Sequence, residues 1–280
     1  MIWEGRVAVV TGAGGTLCSE IAKKLAEKGM KVVLIGRTVE KLQKTAEAIA
    51  SVNGVCRLEP CDVTNEAALA EIRDKVIAEW GPCRILINGA GGNNNMALTT
   101  NFKYNPIEIT DKKPDDMRGF FDLDMKVFDS VLRTNITGVV MVCRAFCRQM
   151  AEAGGGSVLN FASMNTYRPL TRVPAYAMSK AAIANFTQWL AVYFAPAKIR
   201  VNAVAPGFFV NERSRKYLYM PDGDLSPRGL NVMQHTPMER FGEARELLGC
   251  VDWLLDDDRA SFVTGITVPV DGGFLASTGV

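Results

Sequence analysis

The chain has 280 residues, 48% of them hydrophobic and 22% charged, enough for one large α/β domain or two small ones with a sizeable core. Its 32 basic and 30 acidic residues leave a net charge of +2, which gives no reason to expect nucleic acid or an anionic membrane as partner. The start, MIWEGRVAVV, lacks the charged and apolar regions of a signal peptide, and no apolar run approaches the roughly 18 residues of a membrane span, so a cytoplasmic protein is expected.

RVAVV at Arg6–Val10 reads as a first buried strand, and TGAGG follows it directly. Gly12, Gly14 and Gly15 let the backbone approach a pyrophosphate, which the N–H groups of the next helix, opened by Thr16 and Leu17, then hold. That helix carries the amphipathic stretch SEIAKKLAEKG, Ser19–Gly29. A second strand, KVVLI at Lys31–Ile35, ends in Gly36-Arg37-Thr38. A carboxylate there would suit an adenosine 2′-hydroxyl, whereas Arg37 suits a 2′-phosphate, so NADP(H) is favoured slightly over NAD(H). A weaker strand near Val55–Leu58 leads into CDVT, where Asp62, beside Val63, is placed to accept a hydrogen bond from an adenine amino group.

After the amphipathic Glu66–Arg73, the strand RILIN at Arg84–Asn88 ends in Asn88-Gly89-Ala90-Gly91, small residues suited to packing beside a cofactor. SVLNF at Ser157–Phe161, IRVNAVA at Ile199–Ala205 and ITVPV at Ile266–Val270 complete the series. Strands alternating with helices predict a Rossmann-like, doubly wound parallel sheet of about seven strands in a three-layer α/β/α domain spanning the whole chain. Two stretches, 91–121 and 208–241, break the rhythm and show no clear period. Each follows a strand, so each is expected at the carboxyl edge of the sheet as a substrate-shaping loop. The seven cysteines are odd in number and form no CxxC, so neither a disulfide framework nor a metal site is expected; Cys143 and Cys147 read as core thiols. The single histidine, His235, reads as a loop or interface residue.

In the run SMNTYRPLTRVPAYAMSK, Tyr176 and Lys180 fall one helical turn apart on one face. A free phenol has a pKa of about 10, and proton exchange at neutral pH needs a shift of roughly three units, about 4 kcal/mol, which a nearby ammonium favours. With Ser163 upstream of Tyr176, and Asn135 in LRTNITG, the constellation resembles the short-chain dehydrogenase/reductase family over essentially the whole chain. TGAGG, CDVT, NGAG, NAVAPG at Asn202–Gly207 and VDGGF carry the same resemblance, and with NAVAPG come Pro206, Gly207 and Phe209 as cofactor contacts. It implies that Tyr176 transfers the proton, Ser163 hydrogen-bonds the reacting oxygen, Lys180 binds the nicotinamide ribose and lowers the phenol pKa, and Asn135 holds a proton-relay water. The chain departs from the family where Thr16 and Cys18 stand in place of glycines, and where Asn211 replaces a threonine after the PG motif.

The segments GGNNNMALTT, FFDLD, PGFFVNERSR, LSPRG and HTPMERFGE, with the serine-to-lysine run, resemble the D-mannonate oxidoreductase (fructuronate reductase) branch of that family. The resemblance implies interconversion of D-fructuronate and D-mannonate; a gluconate 5-dehydrogenase-like or other polyol dehydrogenase is the near alternative, and a non-catalytic NAD(P)-sensing protein the distant one. For a small sugar-acid substrate, Arg168 or Arg172 suits the carboxylate through a bidentate fork, with a structural salt bridge or subunit contact as the competing use of either. Asn93, Asn94 and Asn165 suit the hydroxyls, with Asx turns as the competing use. Related enzymes lead one to expect a homotetramer, assembled through helices around Met125–Glu152 and Ala175–Phe194.

Overall fold

The computed structural model describes residues 3–277, and of Glu212 and Arg213 the backbone alone. Seven parallel strands form one sheet in the order β3-β2-β1-β4-β5-β6-β7. They are β1 (Val7–Thr11), β2 (Lys31–Gly36), β3 (Val55–Pro60), β4 (Cys83–Asn88), β5 (Gly156–Phe161), β6 (Ile199–Pro206) and β7 (Thr267–Val270). All seven expected strands are present, most with ends moved by a residue or two, as pairing with neighbours extends or trims each run. Central strands such as β1, VAVVT, are buried at every position because helices cover both faces. At the edge, β3 alternates Arg57 and Glu59 with partly buried apolar residues, and Arg57 pairs with Glu59 and Glu79.

The long helices follow apolar stripes at helical spacing. The helix α1 (Thr16–Glu27) buries Cys18, Ile21, Ala22 and Leu25 and, with α2 (Val39–Ala50) and α9 (Leu248–Leu255), closes one face of the sheet. On the other face lie α3 (Glu66–Trp80), α5 (Gly138–Glu152) and α6 (Pro174–Phe194), where Phe146, Met150 and Leu86 are fully buried. Asn65 caps α3 by accepting from the Ala68 N–H, and Pro174 opens α6 at a position where its missing N–H costs nothing. Between α4 (Met125–Leu132) and α5, residues Arg133–Thr137 form one π-helical turn that carries Asn135.

The two irregular stretches do emerge beyond the carboxyl ends of β4 and β6. The first is a chain of 3-10 turns at Asn95–Ala97, Pro106–Ile109 and Phe120–Asp122, knitted around Glu108, whose buried carboxylate accepts from Asn101 Nδ2 and the Asn105 N–H. The second contains two short helices that the sequence pattern did not reveal, α7 (Glu212–Leu218) and α8 (Pro227–Gln234). Each makes about two turns, too few for a 3.6-residue period to stand out. Ser226 sets the start of α8 by accepting from the Gly229 N–H while its hydroxyl donates to Tyr217 O.

Candidate active site

Two adjoining cavities open at the carboxyl edge of the sheet, of about 370 and about 900 Å³, and Gly89, Gly91, Gly92 and Asn93 line both. The smaller is walled by Gly12, Gly14 and Gly15 of the β1–α1 turn, by Arg37 after β2 and by Asp62 and Val63 after β3. At Gly12 the residue type is dictated by backbone contact. Its φ is +67°, and a Cβ there would lie 2.7 Å from the carbonyl carbon of Gly89 and 2.8 Å from the amide of Ala90. The hydroxyl of Thr11 fixes that approach, donating to Ile87 O and accepting from the N–H groups of Gly89 and Ala90. Thr11 was not singled out in the sequence, although its place just before GAGG was the available signal.

Cys18 stands where the family pattern has glycine, and the structure accounts for the exchange. Its buried thiol, pushed up to about 12 by burial, occupies the space beside Gly89 that a Cβ on Gly89 would need. Burial raises the Asp62 pKa, but hydrogen bonds from the Thr64 N–H and hydroxyl, with Arg37 and Arg133 nearby, bring it below the usual value. The Arg37 guanidinium lies 3.8 Å from Asp62 and is 72% exposed. A glycine cradle at a helix N-terminus, continuous with carboxylate and guanidinium groups, fits a dinucleotide: N–H groups meet the diphosphate and polar side chains meet the adenosine.

In the larger cavity, Ser163, Tyr176 and Lys180 come together, Tyr176 and Lys180 as their spacing implied and Ser163 as the family resemblance implied. Ser163 follows β5, and its Oγ accepts from the Asn165 N–H at 3.2 Å and Nδ2 at 3.3 Å. Tyr176 sits in the first turn of α6, and the Lys180 ammonium lies 5.5 Å from the centroid of its ring. Lys180 is buried, donates to Phe161 O at 2.6 Å and has its pKa lowered to about 8, chiefly by burial and opposed by Cys18. At neutral pH it therefore keeps its charge.

Asn135 is buried as well and lines the smaller cavity, with its amide group bonded within the protein. Its Nδ2 donates to Gly92 O and Ser179 Oγ, and its Oδ1 accepts from the Gly92 N–H, all at 2.9 Å. The side chain thus ties the post-β4 loop to α6. Ser179, which also donates to Tyr176 O, is a partner the sequence reading did not foresee.

Several expected contacts fall elsewhere. Asn88 lies beneath the cavity floor, not in it, and its Nδ2 is spent on Cys143 Sγ and Asn160 Oδ1. Arg168 is exposed, outside both cavities, and donates to Ser277 O. The backbone at Met164–Tyr167 turns it away, so of the two candidate arginines only Arg172 reaches the cleft. Asn94 caps the 3-10 turn at Asn95–Ala97 and lines the smaller cavity. Thr16 is exposed at the start of α1 and lines neither. Ala90 lines the smaller cavity, while Leu17, Asn165, Pro206, Gly207, Phe209 and Asn211 line the larger. His235 ends α8 and contacts Asn231 O. Sequence reading also missed Arg118, Lys216 and Arg228 in the larger cavity; Arg228 lies in LSPRG, whose serine and proline were a helix-start signal.

The family model for short chain dehydrogenases matches residues 6–218. The chain belongs to that family and is an oxidoreductase acting on alcohol groups. It is 41% identical over 276 residues to "Uncharacterized oxidoreductase UxuB" of Bacillus subtilis (strain 168), covering 99% of this chain and 97% of that one. A solved structure from Haemophilus, provisionally named D-mannonate oxidoreductase and holding bound NAD, superposes with a TM-score of 0.93 at 40% identity, over 99% of this chain and 97% of that one. The 2-dehydro-3-deoxy-D-gluconate 5-dehydrogenase of Dickeya dadantii (strain 3937) is 30% identical over 98% of this chain and 96% of its own length.

Proposed function

We propose that this oxidoreductase interconverts a keto sugar acid and its alcohol, with D-fructuronate and D-mannonate as the reacting pair. One observation carries the reading: the Ser163–Tyr176–Lys180 cluster opens into a cavity whose described lining has five cationic side chains and no carboxylate. Such a wall attracts an anionic substrate. The name of the Haemophilus relative supports the same substrate. A nicotinamide dinucleotide, when bound, supplies or accepts the hydride. NAD in that relative supports NAD(H), and Arg37 supports NADP(H).

The chain's own residues manage the oxygen and the proton. Tyr176 gives its hydroxyl proton to the carbonyl oxygen in reduction and takes it back in oxidation. Ser163 accepts both of its hydrogen bonds from Asn165, which leaves its own O–H to donate to the same oxygen. Lys180 keeps a positive charge beside the phenol and has N–H donors beyond the one given to Phe161 for ribose hydroxyls. Asn135 positions Gly92 and, through Ser179, the first turn of α6; a relay water would have to use its remaining lone pair or its backbone.

Purified protein with NADH or NADPH, assayed against D-fructuronate, 5-keto-D-gluconate and neutral ketoses, tests the reading. The expected result is fastest reduction of D-fructuronate. Strong turnover of 5-keto-D-gluconate with none of D-fructuronate would move the chain to the gluconate-type alternative, and binding of dinucleotide without any turnover would make it a sensor.

We further propose that the protein is a homotetramer in which α6 forms part of an interface. That helix exposes Trp189, Val192 and Tyr193, with Trp189 and Tyr193 stacked at 5.1 Å, an apolar strip that burial would stabilise. Light scattering giving the mass of a single chain would rule this out.

A further inference from the structure

Arg172 and Arg228 reach the larger cavity from different elements, one from the turn before α6 and the other from the first turn of α8. Neither forms an ion pair with a carboxylate among the described residues. Arg228 is partly open to solvent, yet desolvation by the cleft, then the charge of Arg172, holds its pKa below the usual arginine value against an opposing contribution from Tyr217, so the two guanidinium groups feel each other. Like charges brought together without a counter-ion are unfavourable, and one carboxylate between them removes the repulsion.

Arg172 is held for such a task. Its backbone is left-handed, with φ of +72°, a conformation that costs a non-glycine residue free energy. Its Nε donates to Thr99 O at 2.9 Å, and its guanidinium lies 5.6 Å from the centroid of Phe102. Those contacts orient the group, and among the described residues its terminal nitrogens make no hydrogen bond. The other cations are less suited: Arg118 already donates to Asn95 O and Leu98 O, and Lys216, exposed as Arg228 is, offers an ammonium in place of a bidentate guanidinium fork.

We infer that Arg172 and Arg228 form a two-sided clamp on the substrate carboxylate, so that specificity for a sugar acid over a neutral sugar resides in α8 as much as in the turn before α6. The inference rests on the proposed sugar-acid reading and assigns the residues that impose it. D-Fructuronate and 5-keto-D-gluconate share one constitution and differ only in stereochemistry, so the clamp serves either. D-Fructose is the same skeleton with a hydroxymethyl group in place of the carboxylate.

The experiment compares kcat/KM for the two keto acids and for D-fructose in the wild-type protein, Arg228→Gln, Arg228→Lys and Arg172→Gln. The acid-to-fructose ratio should fall roughly 10- to 100-fold in Arg228→Gln and in Arg172→Gln, mostly through KM, with Arg228→Lys falling between. A loss shared equally by acid and fructose, or an unchanged ratio, overturns the clamp. Should wild-type protein reduce neither keto acid, the substrate reading fails by itself. The clamp is then read by calorimetric titration of D-mannonate into protein with NADH. Weakening of roughly tenfold or more in Arg228→Gln supports it, while equal affinity, or no binding to wild type, overturns it.

Discussion

The two cavities share a floor and differ in what builds them. Around the smaller one, main chain meets main chain: Gly12 against Gly89 and Ala90, with the Thr11 hydroxyl accepting from the N–H groups of both. Around the larger one, side chains on short turns and helices do the work, from Asn165 and Arg172 to Arg228. A main-chain cradle fixes residue types tightly because a single Cβ spoils it, whereas a wall of side chains can be rebuilt residue by residue. The cofactor half is therefore expected to answer to steric changes and the substrate half to changes of charge and proton affinity.

The largest effect is expected at the boundary of the two halves. Tyr176→Phe should lower kcat for reduction by roughly 10²- to 10⁴-fold, the usual contribution of a general acid, while fluorescence titration still detects dinucleotide binding. Turnover within a few-fold of wild type would remove Tyr176 from its assigned role. Lys180 separates charge from packing. Its pKa of about 8 in the folded chain lies below the ordinary lysine value of 10.5, so between those pH values the unfolded chain holds the additional proton. Stability from this group therefore rises with pH across that window, by up to about 3 kcal/mol, and is lost as pH falls toward 8. The buried cysteines, whose pKa values are raised, act in the opposite sense above pH 9, so the comparison must be differential. Urea unfolding should show wild type gaining stability relative to Lys180→Met from about pH 8 to about pH 10. A constant difference between the two proteins would mean that Lys180 is not buried as a cation.

The steric prediction belongs to the cofactor half. Gly89→Ala drives a methyl group into Cys18 and should destabilise the protein by roughly 1–3 kcal/mol, as overpacking does. Adding Cys18→Gly should recover part of that loss and restore dinucleotide affinity in parallel. Recovery would be incomplete, because the same methyl group also meets Thr11 O at 3.0 Å. If the two substitutions simply add, Cys18 does not fill the space vacated by the family's glycine.

The division also explains what could be read without coordinates. The seven strands were legible because burial on both faces demands unbroken β-branched runs such as KVVLI and RILIN. Tyr176 and Lys180 were legible because they share a helix, which converts spacing directly into a common face, whereas Ser163 was joined to them by the family resemblance. Arg168 and Arg172 looked equivalent in sequence; a 3-10 turn at Met164–Thr166 and a left-handed residue at Arg172 part them, and neither feature leaves a periodic trace. Arg228 was hidden for a related reason, since a two-turn helix shows too little pattern to reveal which side chain it presents. Asn88 misled because a polar residue at a strand end suggests an exposed contact, whereas here it pairs across the sheet with Asn160, which in turn donates to Thr187.

The smallest expected effect concerns Arg37, where the contrast between the halves is weakest because a side chain intrudes on a main-chain site. At 72% exposure its charge is screened by water and partly answered by Asp62, so it contributes little to folding. A 2′-phosphate would give the guanidinium a stronger partner than a carboxylate 3.8 Å away. Arg37→Ala should shift the ratio of kcat/KM for NADPH to that for NADH toward NADH by about tenfold, the worth of one charge-assisted contact. A shift in the opposite direction would mean that Arg37 acts through Asp62, by drawing that carboxylate away from the adenosine, and would identify Asp62 as the residue that sets the preference.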